Sequence, residues 1–110
     1  MSSVLSWIEK GGLMIESFHD SGTEDVFDRS NTNAARRVCP QQLWKIAQRK
    51  LDQLNTVDRL EALRVPPGNF LEALRGDRDG QFSIRINSQY RVCFFWTDEG
   101  ASEVAIVDYH

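Results

Sequence analysis

Hydrophobic positions along this chain follow one spacing up to a double proline and another after it. "MIESF", from Met14, alternates apolar and polar residues and predicts an edge strand. "GTEDVFDRS" has Thr23 as a capping residue and acids in the first turn, which predicts a short helix. "NTNAARRVCP" then leads to Pro40, placed as a first helical residue. In "PQQLWKIAQRKLDQLN", Leu43, Ile46, Ala47, Lys50, Leu51 and Leu54 recur at helical spacing. That stripe faces a core, and Lys45, Gln48, Arg49 and Asp52 face away. Asn55 or Thr56 caps a second short helix, "VDRLEALR", which Pro66-Pro67-Gly68 ends.

Beyond the prolines the period falls from 3.6 to 2. "NFLEALR" predicts a strand, "GDRDG" a turn, and "QFSIRIN" a strand with Phe82, Ile84 and Ile86 inward and Arg85 outward. After "NSQ", "YRVCFFWT" is apolar on both faces and therefore central in its sheet; "DEGA" turns into "SEVAIVDYH". The expected fold is α+β: a small antiparallel-rich sheet, one N-terminal strand plus a C-terminal four-strand meander. Two or three helices pack on one face. Arg75, Arg85 and Arg91 come from neighbouring strands or their ends, so the uncovered face can gather them.

Composition narrows the class. The chain has 110 residues, 41% hydrophobic and 26% charged, enough for one globular domain with a single core. Its longest apolar run, Val92 to Trp96, is far short of the roughly 20 residues of a membrane span. No basic start precedes an apolar run and a cleavage site, so no membrane role and a cytoplasmic location are expected. Cys39 and Cys93 stand in apolar surroundings without CxxC spacing. They are read as reduced core residues, with a single disulfide between them left open. With His19 and His110 the only imidazoles, neither a metal site nor a cofactor is expected.

The net charge of −3 conceals an uneven distribution. Residues 1–28 hold six acids and one base, 29–91 twelve bases and six acids, and 92–110 four acids and no base. A cationic middle between acidic ends suits a local anion-binding surface; ordinary solvated helix faces explain it equally well. Residues 1–13 read as an N-terminal extension. Lys10-Gly11-Gly12 can be encoded by a purine-rich stretch like a ribosome-binding site just before Met14, so Met14 is the expected start, with 1–13 a translated leader and 14–110 the single domain.

"RVCPQQLWKIAQRKLDQLN", "RVPPGNFLEALRGDRDGQFSIRINSQYRVCFFW" and "VAIVDYH" occur in an order and spacing that resemble the HigB branch of the RelE-like bacterial toxins, the plasmid-maintenance killer proteins. The resemblance runs from about Met14 to His110. It implies the RelE-like fold and a toxin of a type II toxin–antitoxin system, a metal-independent endoribonuclease that cuts messenger RNA on the ribosome and inhibits translation and growth. It also implies a cognate helix-turn-helix antitoxin resembling HigA, with operator DNA bound only through their complex.

Carried over by position, the resemblance makes His110 a general acid or base. Asp108 orients or tunes it, and Tyr109 stacks on a base or holds the phosphate. Arg91 meets the phosphate, and Tyr90 occupies a position that is usually aromatic. Arg75 stands where relatives often have lysine, which keeps charge but gives up easy proton transfer, so it is a stabiliser. Glu72 stands where some relatives have histidine; it is either a base or the structural partner of Arg75. Arg85 joins the RNA-binding face, and Arg36, Arg37, Lys45 and Arg49 form either a docking surface for ribosomal RNA or a solvated face. The alternative function is a catalytically weakened relative, kept for antitoxin binding and promoter autoregulation. A free-standing RNA-binding domain is less well supported, because few aromatics lie outside the core.

Overall fold

The computed structural model describes residues 14–109. The leader expected at 1–13 and the position of His110 lie outside them. Three α-helices come first: α1 (Ser21–Phe27), α2 (Asn33–Val38) and α3 (Trp44–Leu54). Short 3-10 turns at Leu60–Arg64 and Pro67–Asn69 then lead into four strands. These are β1 (Glu72–Ala73), β2 (Phe82–Arg85), β3 (Tyr90–Thr97) and β4 (Gly100–Asp108), with a further 3-10 turn at Gly76–Arg78. The strands form one antiparallel sheet in the order β1-β2-β3-β4, the expected meander.

Ala47, Leu51 and Leu54 of α3 are buried, as the stripe predicts, and close over Ile84, Val92, Phe94 and Ile106 of the sheet. Because side chains alternate and register partners share a face, this core face also holds Phe82, Tyr90 and Asp108. The opposite, open face holds Glu72, Ser83, Arg85, Arg91, Cys93, Ala105 and Val107.

Four local expectations are revised. The cap of α1 is Asp20, whose Oδ1 accepts from Thr23 N–H at 2.6 Å. Thr23 instead lies buried inside the helix, its hydroxyl accepting from Ile106 N–H at 3.0 Å. Pro40 has an extended ψ of 145° and precedes a 3-10 turn at Gln41–Leu43, so α3 proper begins at Trp44. The second short helix shrinks to the 3-10 turn at Leu60–Arg64. Neither expected cap serves it, since Asn55 Oδ1 accepts from Ile15 N–H and the Thr56 hydroxyl donates to the Gln53 carbonyl. The strand expected at 69–75 is reduced to Glu72–Ala73, because Phe70 adopts a left-handed backbone (φ 46°) incompatible with a ladder.

The N-terminal strand is present only as an extended stretch along β4. One parallel bridge joins Phe18 to Val104, and hydrogen bonds run from Glu16 N–H to Ala101 O (2.7 Å) and His19 N–H to Val104 O (2.9 Å). β4 is irregular there. Between the pairs Cys93–Ala105 and Phe95–Ser102 the register advances two residues on β3 and three on β4, a bulge at which Glu103 has φ 53°. A bulged strand offers its outer neighbour no continuous ladder. Both cysteines are free and buried, as expected for reduced thiols.

Candidate functional site on the open sheet face

Arg91 is the centre of the open face. A side chain on β3 reaches this depth because β3 is flanked on both edges, and only 8% of the residue is exposed. A buried guanidinium needs acceptors. Arg91 Nε donates to Ser83 Oγ at 2.7 Å, and Nη2 donates to the Phe70 carbonyl at 2.8 Å and lies 3.4 Å from Glu72 Oε1. Its guanidinium carbon stands 5.8 Å from the centre of the Tyr109 ring. The contacts with Glu72, Ser83 and Tyr109 follow from the register: Glu72, Ser83 and Arg91 share the face, and Tyr109 follows β4 two residues after Val107, the partner of Arg91.

Arg85 is the direct partner of Arg91 on β2. Two like charges side by side require a device that keeps them there. For Arg85 it is the Phe70 ring, 4.5 Å from its guanidinium carbon. Its Nε is buried and has no hydrogen-bond partner among the described residues. Phe70 thus serves both cations, one with its ring and one with its carbonyl. It is held in place by Asn69, which is fully buried, donates through Nδ2 to the Leu63 carbonyl at 3.0 Å and accepts from Lys50 Nζ.

The open face therefore brings together Arg85, Arg91, Glu72 and Tyr109 from the predicted set. The Glu72 carboxylate pairs with Arg91 rather than Arg75. Arg75 is exposed, past the end of β1, where its carbonyl accepts from Arg78 N–H at 3.3 Å. Tyr90 and Asp108 face each other on the core side of the sheet. Asp108 accepts from Gln89 Nε2 at 3.1 and 3.2 Å, and Tyr109 N–H donates to the Gln89 carbonyl at 2.6 Å, which ties the end of β4 to the β2–β3 turn. Burial, with Asp108 and Cys39 nearby, pushes the Tyr90 hydroxyl above its ordinary range. Arg36, Arg37, Lys45 and Arg49 are on α2 and α3, apart from this face; Arg36 bonds Asn31 and Asn33. His110 follows Tyr109 directly and lies outside the described residues.

Three contributors carry little signal in the sequence. Ser83 sits at the parity of Arg85, so alternation alone could have pointed to it. Phe70 gives no cue, since its role depends on a left-handed backbone. Arg78 is hidden inside "GDRDG", which reads only as a turn. Yet Arg78 and Arg91 both lie near enough to Cys93 to oppose the upward pull that burial exerts on its thiol. Among the described residues, no group of three or more His, Cys, Asp or Glu is placed to hold a metal ion. No helix of these residues is long and apolar enough to cross a membrane.

A basic, aromatic-flanked open face on a four-strand antiparallel sheet, with helices behind, fits the resemblance noted in the sequence. The family described as the RelE-like toxin of the type II toxin–antitoxin system HigB matches residues 16–110. Toxin HigB-1 of Vibrio cholerae is 35% identical over 85 residues, covering 77% of this chain and 86% of that protein. An uncharacterized protein of Haemophilus influenzae is 40% identical over 82 residues, 74% of this chain and 78% of its own. The chain belongs to the HigB-like family of RelE-like toxins of type II toxin–antitoxin systems. Membership implies a cognate antitoxin as its partner.

Proposed function

We propose that this toxin is an endoribonuclease that cuts messenger RNA on the ribosome by using the RNA's own 2′-hydroxyl. The observation that carries the reading is the pairing of Arg85 and Arg91 on the open face beside Tyr109, one residue before His110. Two guanidinium groups side by side suit the non-bridging oxygens of one phosphate and stay charged at any physiological pH. The 2′-oxygen attacks the adjacent phosphorus, its proton passes to a base, the bond to the 5′-oxygen breaks and an acid protonates that oxygen. The products are a 2′,3′-cyclic phosphate and a 5′-hydroxyl. Because the nucleophile belongs to the substrate, proton transfer and charge stabilisation suffice and no metal-activated water is needed.

In this reading His110 handles a proton, its unperturbed pKa of about 6.5 being suited to the task. Arg91 and Arg85 hold the developing phosphorane charge, with Arg75 as a further cation at the rim. Tyr109 stacks on a base or holds the phosphate. Glu72, already paired with Arg91, positions that cation, and Asp108 tunes the end of β4 through Gln89. The ribosome supplies the aligned message, and a helix-turn-helix antitoxin neutralises the toxin and joins it to operator DNA.

The test is induction of the toxin without its antitoxin, with the ends of cellular messages mapped. Wild type stops growth and leaves cut messages within codons. His110→Ala and Arg91→Lys, the latter keeping charge without the planar fork, should lower cutting by roughly 10²–10⁴-fold. Undiminished cutting by both variants would sink the reading.

A further inference from the structure

Phe70 stands in a backbone conformation that suits other residues better. At φ 46° and ψ 56° it follows the Pro67–Asn69 turn, its N–H donating to the Pro67 carbonyl at 3.0 Å. Glycine or asparagine enters this left-handed region readily, whereas a bulky side chain there is an outlier. Burial does not explain the choice, since Phe70 is 53% exposed and does not belong to the hydrophobic core of the described residues. The backbone is nonetheless fixed. Asn69, fully buried, donates to Gln53 Oε1 and to the Leu63 carbonyl, both at 3.0 Å, and accepts from Lys50 Nζ. Lys50 and Gln53 lie three residues apart on α3, so the one charged member of the helix stripe serves this loop.

We propose that Phe70 is a positioning residue for RNA cutting: its ring holds Arg85 beside Arg91 without lowering the charge of the pair. The inference rests on the nuclease reading and adds to it what keeps the two cations together. Arg85 and Arg91 are direct cross-strand partners, and like charges so placed repel. The Phe70 ring centre lies 4.5 Å from the Arg85 guanidinium carbon, and the Phe70 carbonyl accepts from Arg91 Nη2 at 2.8 Å. An acid in place of the ring would also hold Arg85, but it would repel a phosphate and compete for the same N–H donors. A ring face attracts the cation through its quadrupole and leaves the net charge whole. Among the described residues no carboxylate pairs with Arg85, while Glu72 pairs with Arg91. Arg85 Nε is buried without a hydrogen-bond partner among these residues, which leaves the ring as the contact that sets its direction.

The test measures message cutting on purified ribosomes by the full-length wild type, Phe70→Tyr, Phe70→Leu and Phe70→Gly, with circular dichroism melting to show which variants are folded. Phe70→Tyr keeps the ring and should cut at close to the wild-type rate. Phe70→Leu keeps the bulk and Phe70→Gly suits the left-handed backbone. Both should cut roughly two- to thirtyfold more slowly, the effect of losing one cation–π contact. Phe70→Gly should nonetheless melt no lower than Phe70→Leu, a combination that a merely structural residue would not give. If Phe70→Gly does not fold, Phe70→Asn, which also tolerates this backbone, takes its place. Made on Arg85→Ala, the same change should have little further effect, because the ring then has nothing to hold. Equal losses in both backgrounds would mean that the ring meets RNA on its own account, and they overturn the proposal. Phe70→Leu cutting as fast as Phe70→Tyr, or a folded Phe70→Gly as fast as wild type, also overturns it and leaves the nuclease reading intact. A wild-type chain that cuts nothing overturns both.

Discussion

Arg91 has its partners before any ligand arrives. Its Nε bond to Ser83 is buried on both sides, so removing the hydroxyl leaves a charged donor without an acceptor and without water. Ser83→Ala should destabilise the fold by about 1–3 kcal/mol and loosen Arg91. Chemical denaturation checks the first effect, and message cutting checks the second. Cys39 gives a separate measure of core integrity. Burial pushes its thiol up to about 11 from an ordinary 9.0, so the folded state holds the proton more tightly than the unfolded state does. That contribution is complete below about pH 9 and is lost as pH rises through about 11. Denaturation midpoints measured from pH 8 to 11 should fall more steeply for wild type than for Cys39→Ala. A native thiol held neutral in this way should also resist alkylation near pH 8 until the chain unfolds.

Among the elements, α1 and α2 meet through Gly22. A Cβ there would stand 2.5 Å from the Ala34 carbonyl oxygen and 2.6 Å from Val38 Cγ1, so the helix pair closes only around a glycine. Gly22→Ala should lower stability by roughly 1–3 kcal/mol, measured by thermal melting. The sequence showed α3 and the meander plainly, because each carries its own period over many residues. It did not show α2, whose six residues are too short for a stripe and whose cap, Thr32, is hidden in the loop-like "NTN". β1 was overestimated because nothing in "NFLEALR" reveals the left-handed Phe70. The site was legible in part. Alternation placed Arg85 outward, and the same rule applied to "QYRV" would have separated Tyr90 from Arg91, since neighbours on a strand face opposite ways. The approach of Arg78 to Cys93 depends on the 3-10 turn that carries it, which does not follow from spacing.

At the scale of the molecule, the uneven charge noted in the sequence becomes spatial. Arg78, Arg85 and Arg91 come to one sheet face, while Arg36, Arg37, Lys45 and Arg49 stay on the helices. If the open face alone meets RNA, inhibition of translation in a cell-free extract should weaken with added salt. Arg85→Ala should reduce the log–log slope by about 0.7–1, whereas Arg37→Ala leaves it unchanged. Equal effects would mean that the helical cations also dock. The four contacts around Arg91 have one further effect, visible on heating. They tie a single guanidinium to β1, β2, the Phe70 loop and the tail of β4, so slight fraying of any of these misaims it while most of the core stays folded. Potency should therefore begin to fade several degrees below the melting midpoint, giving the toxin a working temperature range narrower than its folded one.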